Sequence, residues 1–143
     1  MDKLTASKGN LVILVAGVVM LIASFLPFTT FSFPGFSHSY TAWSSHAFMI
    51  VTIPALLGVA MAVQVALTTF APDVKMPDTV LGLTWTQVHL VFGFQATIMM
   101  LAFLIQDSPL GDKAIGLFLM LIAAIALLVG AVLRMQDAPN PAA

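Results

Sequence analysis

PFTTFSFPGFSHSYTAWSSHAF, residues 27–48, decides how the rest of the chain is read. It has no Asp, Glu, Lys or Arg, yet Ser, Thr, Gly and Pro interrupt Phe28, Phe31, Phe33, Phe36, Tyr40, Trp43 and Phe48. That mixture suits neither a spanning helix nor a loop in water. It suits a cap at a membrane surface, where aromatic rings favour the headgroup level. The long apolar blocks on either side then read as membrane helices joined by an aromatic connection.

Composition points the same way. Hydrophobic residues make up 60% of the 143 and charged residues 8%, with a mean hydropathy of +1.05, whereas a soluble domain carries roughly a quarter charged residues. Outward from the aromatic stretch, Leu11 to Phe28 follows Lys3 and Lys8 and is stopped by Pro27. It reads as a retained first helix, because the apolar core of a signal peptide is shorter and a small-x-small cleavage site follows it. On the other side Ser44 or Ser45 can cap a second helix, in which Pro54 should place a kink. Phe70 to Leu83, with Pro72, Asp73, Lys75, Pro77 and Asp78, is a water-facing loop. Thr84 and Gln87 have the spacing of a capping box and start a third helix. A tight turn over residues 107–112 leads to the fourth.

The expected fold is all-α, a transmembrane four-helix antiparallel bundle forming a single domain over residues 1–143. Its helices run at about 11–28, 46–69, 85–106 and 113–134, with an outer aromatic loop at 28–45. Cytoplasmic segments retain an excess of Lys and Arg. Lys3, Lys8, Lys75 and Arg134 fall at one face and only Lys113 at the other, so both termini are expected in the cytoplasm of a plasma-membrane protein. The absence of Cys excludes disulfides and thiolate metal sites, and a net charge of -1 excludes a broad basic surface for nucleic acid.

Ionisable groups within membrane helices are functional candidates by default. No Asp, Glu, Lys or Arg lies in the middle of any helix, which counts against proton- or sodium-coupled exporters. His89 lies about one turn inside helix 3, and Gln64 lies at a similar level on helix 2, which runs the opposite way. An interhelical hydrogen bond between them is the structural reading; a haem ligand, quinone contact or proton relay is the functional one. Gln95, near the middle of helix 3, needs a polar partner on another helix. His38 and His46 without Cys or carboxylate form no convincing metal set, and His46 and His89 stand at opposite ends of the bundle, too far apart to share one haem. Neither a metal nor a cofactor is expected. Met99 and Met100 read as packing.

Small residues supply candidate contact seams. Gly116, Ala123 and Gly130 repeat every seven residues in helix 4, Gly58, Ala62 and Ala66 every four in helix 2, while Gly17 and Gly93 serve helices 1 and 3. Each can face a neighbour within the bundle or another chain.

Two segments, GVVMLIASFLPF at 17–28 and DKAIGLFLMLIAAIALLVG at 112–130, together with the helical plan, resemble a group of uncharacterised small four-helix integral membrane proteins of actinobacteria. The resemblance implies the architecture and carries no substrate or catalytic residue. The expected function is that of a non-enzymatic membrane subunit or assembly protein. It would pack laterally against lipids, other membrane subunits or itself, with Phe31, Phe33, Phe36, Tyr40, Trp43, Gly116, Ala123 and Gly130 as interface candidates. The alternatives are a homo-oligomeric channel or small-molecule transporter around Gln95 or helix 4, and a redox subunit binding haem or quinone through His89.

Overall fold

The computed structural model describes residues 7–45, 48–107 and 111–137, with only the backbone described at Phe48 and Met49. Four helices dominate: α1 (Lys8–Ser24), α2 (Ile53–Phe70), α3 (Trp85–Ile105) and α4 (Ile115–Asp137). The segments Ile50–Phe70, Trp85–Ile105 and Ile115–Asp137 are long and apolar enough to cross a membrane, whereas α1 has 17 residues. At about 1.5 Å per residue α1 is only about 26 Å long, a little under the hydrocarbon thickness.

Helix boundaries differ from expectation for local reasons. The Ser7 side chain accepts from the Asn10 N–H and starts α1 at Lys8, ahead of Leu11. The helix ends at Ser24, not Phe28, because the residue before a proline is pushed out of the helical region and the chain must leave before Leu26. Pro54 makes no mid-helix kink. It sits in the first turn of α2, where its missing N–H is least costly, and a wider π turn over Phe48–Thr52 precedes it. Ser44 does not cap this helix; its hydroxyl accepts from the Thr41 N–H and closes a local turn. At α3 the capping box is present as the spacing predicts: Thr84 accepts from the Gln87 N–H, and the Gln87 side chain accepts from the Thr84 N–H.

The chain is not wholly helical. The aromatic stretch folds as an antiparallel hairpin of β1 (Thr29–Phe33) and β2 (Phe36–Tyr40), turning through Pro34 and a left-handed Gly35 at φ +86°. Pro followed by a left-handed Gly meets the requirement of a type II turn. On the loop between α2 and α3, β3 (Thr79–Val80) pairs with β4 (Leu83–Thr84). On the α3–α4 connection, β5 (Asp112–Lys113) pairs with Thr29 and Thr30, so β1 lies between β2 and β5. This sheet is tied to the helix ends. The Phe28 carbonyl accepts from Ala114 N–H, the Pro27 carbonyl from Gly116 N–H, and the Ser24 carbonyl from Ala42 N–H.

The helices form a ring in the order α1, α2, α3, α4, with α1 against α4 the most intimate pair and α2 against α3 the loosest. Glycine explains the first. A Cβ on Gly9 would stand 2.6 Å from the Arg134 backbone nitrogen, and one on Gly130 would stand 2.8 Å from the Ile13 side chain. Between the helices lies an apolar core of Ile13, Met20, Met61, Met100, Leu117, Met120 and Leu127, all fully buried. Met100 is thus a packing residue.

The small-residue seams are spent inside the chain. Gly116 abuts the Pro27 carbonyl, Gly130 meets α1, Gly93 packs on the backbone of Leu128, and Ala123 is buried in the core. Gly116, Ala123 and Gly130, candidates for contact with another chain, therefore form intramolecular contacts.

Candidate functional site

Both termini of the bundle lie at one end, together with the C-terminus of α2 and the N-terminus of α3. There Gln64 of α2, His89 of α3 and Arg134 of α4 converge. One guanidinium nitrogen, Nη1 of Arg134, donates to Gln64 Oε1 at 3.2 Å and lies 3.0 Å from His89 Nδ1. Gln64 and His89 are buried, and Arg134 is half-buried. His89 and Gln64 do share a level, but Arg134 bridges them in place of a direct bond.

Arginine has only donors, so Nδ1 of His89 must accept, and the ring proton then resides on Nε2. This assignment follows from the hydrogen-bond network. Nε2 is fully buried and has no hydrogen-bond partner among the described residues. His89 thus presents a lone, buried N–H. A haem ligand would need the Nε2 lone pair and hence a proton on Nδ1, which would set one donor against the guanidinium of Arg134. The chemistry of this donor set does not fit iron.

Beside His89, between α2 and α3, is a cavity of about 340 Å³. Met61, Gln64, Val88, His89 and Phe92 form its walls, and Met76 and Val80 cover it from the α2–α3 loop. The cover is pinned by Trp85, whose indole N–H donates to the Pro77 carbonyl at 2.7 Å and whose ring meets His89 edge-on with centroids 6.5 Å apart. Ala60 and Val63 on its rim are exposed on the outer surface of the bundle, so the cavity opens sideways, towards lipid in a membrane.

By its position in the sequence Arg134 reads only as a charge at the end of the fourth helix. A signal was present: Leu127, Ala131 and Arg134 follow the i, i+4, i+7 spacing of one helix face, and the first two are fully buried.

Gln95 is elsewhere. It is the eleventh of the 21 residues of α3, and it is exposed on the outer face of the bundle, with no side-chain hydrogen bond among the described residues. The partner expected on a neighbouring helix of this chain is not there. Thr97, two residues on, does make such a contact: its hydroxyl reaches Gly93 and Ala124 carbonyls.

At the opposite end the hairpin has two unlike faces. Alternation puts Phe31, Phe33, Phe36, His38 and Tyr40 on one side and Thr30, Ser32, Ser37 and Ser39 on the other. Phe31 and Phe33 meet edge-on at 4.8 Å, Phe36 stacks on His38 at 6.3 Å, and His38 meets Tyr40 at 4.8 Å. Phe31, Phe33 and Phe36 are exposed. Trp43 stacks on Phe25 and donates its indole N–H to Ser24 Oγ at 3.0 Å, so this pair rims the bundle below the sheet. Phe28 is the exception: it is fully buried, edge-on against Phe103. His46 lies outside the described residues, and with it the paired-histidine arrangement with His38.

The fold and its polar groups describe a mostly helical protein with three helices long and apolar enough to cross a membrane and a buried Gln64–Arg134–His89 cluster beside a cavity. No family model, curated protein or solved structure matches the chain. The site is read from its own chemistry.

Proposed function

We propose that the chain is a non-enzymatic integral membrane protein that works by lateral association, and that the partner is a second copy of itself. The observation that carries this reading is Gln95. An amide at mid-helix, turned outward, would face hydrocarbon, where an unpaired polar group is costly. Around it, Val91, Gln95, Ile98, Ala102 and Ile105 are all exposed and follow alternating spacings of three and four, the a/d seam of a helix pair. A single polar residue in such a seam fixes register. An amide carries both donor and acceptor, so two copies of Gln95 across a two-fold axis satisfy one another, which favours self-association over an unrelated apolar helix.

In this reading both termini are cytoplasmic in the plasma membrane, as the Lys and Arg asymmetry supports. The aromatic face of the β1–β2 hairpin then rests at the outer headgroup layer, the level that Tyr40 and the neighbouring Trp43 favour.

The chain has no Cys, so single cysteines are clean reporters. Ile98→Cys should form a crosslinked dimer in bilayers, and Ile122→Cys, outward on α4, should not. Gln95→Leu should weaken the dimer by about 1 kcal/mol, roughly fivefold. A chain that stays monomeric in bilayers with no Ile98→Cys crosslink would overturn the reading.

A further inference from the structure

We propose that the β1–β2 hairpin joins two copies of the chain edge to edge, β2 of one copy pairing antiparallel with β2 of the other about a two-fold axis at His38. This contact is separate from the seam on α3. The sheet order is β2-β1-β5, so among the described residues β2 is hydrogen-bonded to a strand on one side only. Proteins blunt such edges with charge, proline or a bulge, because an open row of N–H and C=O groups is a template for another strand. β2 has none of these devices. Its sequence is FSHSY, its five residues pair with β1 in unbroken register, and Phe36, Ser37, His38 and Ser39 are exposed.

The strand is its own complement. FSHSY is nearly a palindrome about His38. Laid antiparallel on itself with His38 opposite His38, it sets Ser37 against Ser39 of the second copy and Phe36 against Tyr40 of the second copy. Hydroxyl pairs and aromatic pairs directly opposite one another are favourable cross-strand combinations, and no like charges meet. The backbone agrees with this register. A two-residue turn makes Phe33 and Phe36 a hydrogen-bonded pair, and such pairs alternate along an antiparallel ladder. His38 therefore directs its N–H and C=O to β1, whereas Ser37 and Ser39 direct theirs to the open edge. Pairing centred on His38 brings those outward groups together, N–H to C=O in both directions.

The orientation of the sheet permits the contact in a bilayer. Thr29 stands in the same row as Phe31 and Phe33 and is fully buried, and Tyr40, also in the aromatic face, packs against the helical core. The aromatic face is thus the one turned to the bundle, and the sheet lies across the helix ends. The two-fold axis that relates two antiparallel edges stands perpendicular to the sheet, hence along the helices. On the membrane placement proposed for the chain, that is the axis relating two copies inserted in the same sense, and the contact is isologous.

The chain has no Cys, so the full-length protein in lipid vesicles, oxidised with copper phenanthroline, reports the contact directly. His38→Cys should give a disulfide-linked dimer, since residues directly opposite in an antiparallel pair lie within disulfide reach, about 4.5–5.5 Å between Cα atoms. Ser37→Cys and Ser39→Cys should each stay monomeric alone and crosslink when reconstituted together. Ser32→Cys, also exposed but on β1, should not crosslink. Ser39→Pro added to His38→Cys removes an outward N–H, which an edge strand tolerates, and should abolish the dimer while the helical circular dichroism is unchanged. Ile98→Cys reports the α3 seam separately. A dimer through Ile98→Cys with none through His38→Cys overturns the edge pairing and leaves the seam standing, and a dimer through His38→Cys alone supports the edge and removes the seam. Ser37→Cys crosslinking with itself in preference to His38→Cys, or a His38→Cys dimer that persists with Ser39→Pro, would also overturn the proposal.

Discussion

The α1–α4 and α2–α3 contacts are built on opposite plans. Along α1 and α4 the side chains are removed: Gly9 and Gly130 bring the two helices together with no room for a methyl group, and Gly116 does the same against the Leu26 and Pro27 carbonyls just beyond α1. Between α2 and α3 the residues are large, a cavity remains, and Gln64 and His89 are joined through Arg134 of a third helix. In lipid no hydrophobic force drives two apolar helices together, so close packing and hydrogen bonds must do it. The first pair uses packing, the second uses hydrogen bonds and stays open. Rigidity therefore resides in α1–α4, and α2–α3 is the looser pair, with unfilled space between its helices.

The sharpest way to break this contrast is to add volume to each side. Gly130→Leu would drive a side chain into Ile13 and the Gly9 carbonyl. It should destabilise by roughly 3 kcal/mol, the upper part of the overpacking range, read as a large drop in thermal unfolding temperature in detergent. Ala60→Leu, on the cavity rim, should stay within about 0.5 kcal/mol of the parent, as a change away from tight packing does. Equal losses would mean that the two interfaces are packed alike.

Removing the hydrogen-bonded link comes next in size. Arg134→Met leaves Gln64 Oε1 and His89 Nδ1 without their donor, and buried groups so orphaned cost about 1–3 kcal/mol. Because both acceptors share Nη1, Arg134→Met combined with Gln64→Leu should cost less than the sum of the single changes. Strict additivity in thermal unfolding would show that the three side chains do not act as a unit. Fluorescence of Trp85 should also shift to the red in Arg134→Met as α2 and α3 loosen around the cavity.

Much of this contrast could be read in the sequence, and the reasons for the remainder are specific. The heptad spacing of Gly116, Ala123 and Gly130 marks a close seam, and the T-x-x-Q box marks the start of α3, because both are local patterns with one physical cause. What faces what is not local. Gln64 and His89 share a level by count, but the bridging Arg134 lies 45 residues beyond His89 on another helix, and a charge at a helix end reads as facing water. A mid-helix amide such as Gln95 calls for a partner inside the chain, and only the packing reveals that its face is the outer one. The hairpin also has a local signal: aromatic and hydroxyl residues alternate on either side of Pro34-Gly35, a period-2 strand pattern around a turn, which hydropathy averaged over the whole uncharged stretch conceals.

The smallest expected effect concerns the hairpin that covers the cavity. Leu81 has φ +52° and Gly82 φ +80°, so the β3–β4 connection is a two-residue turn with both central residues left-handed, the type I′ arrangement. A leucine there clashes through its Cβ, at a cost of about 1–2 kcal/mol, and it gains no packing in return because the side chain is 99% exposed. Asn tolerates this conformation, and Asn-Gly is the preferred pair for the turn. Leu81→Asn should therefore stabilise the hairpin by up to about 1 kcal/mol in detergent, seen as slower amide exchange at Val80 and Leu83. A turn that is no firmer with Asn would show that Leu81 has a contact outside the chain, and the flank of the α2–α3 opening would then be held from outside as well as from within.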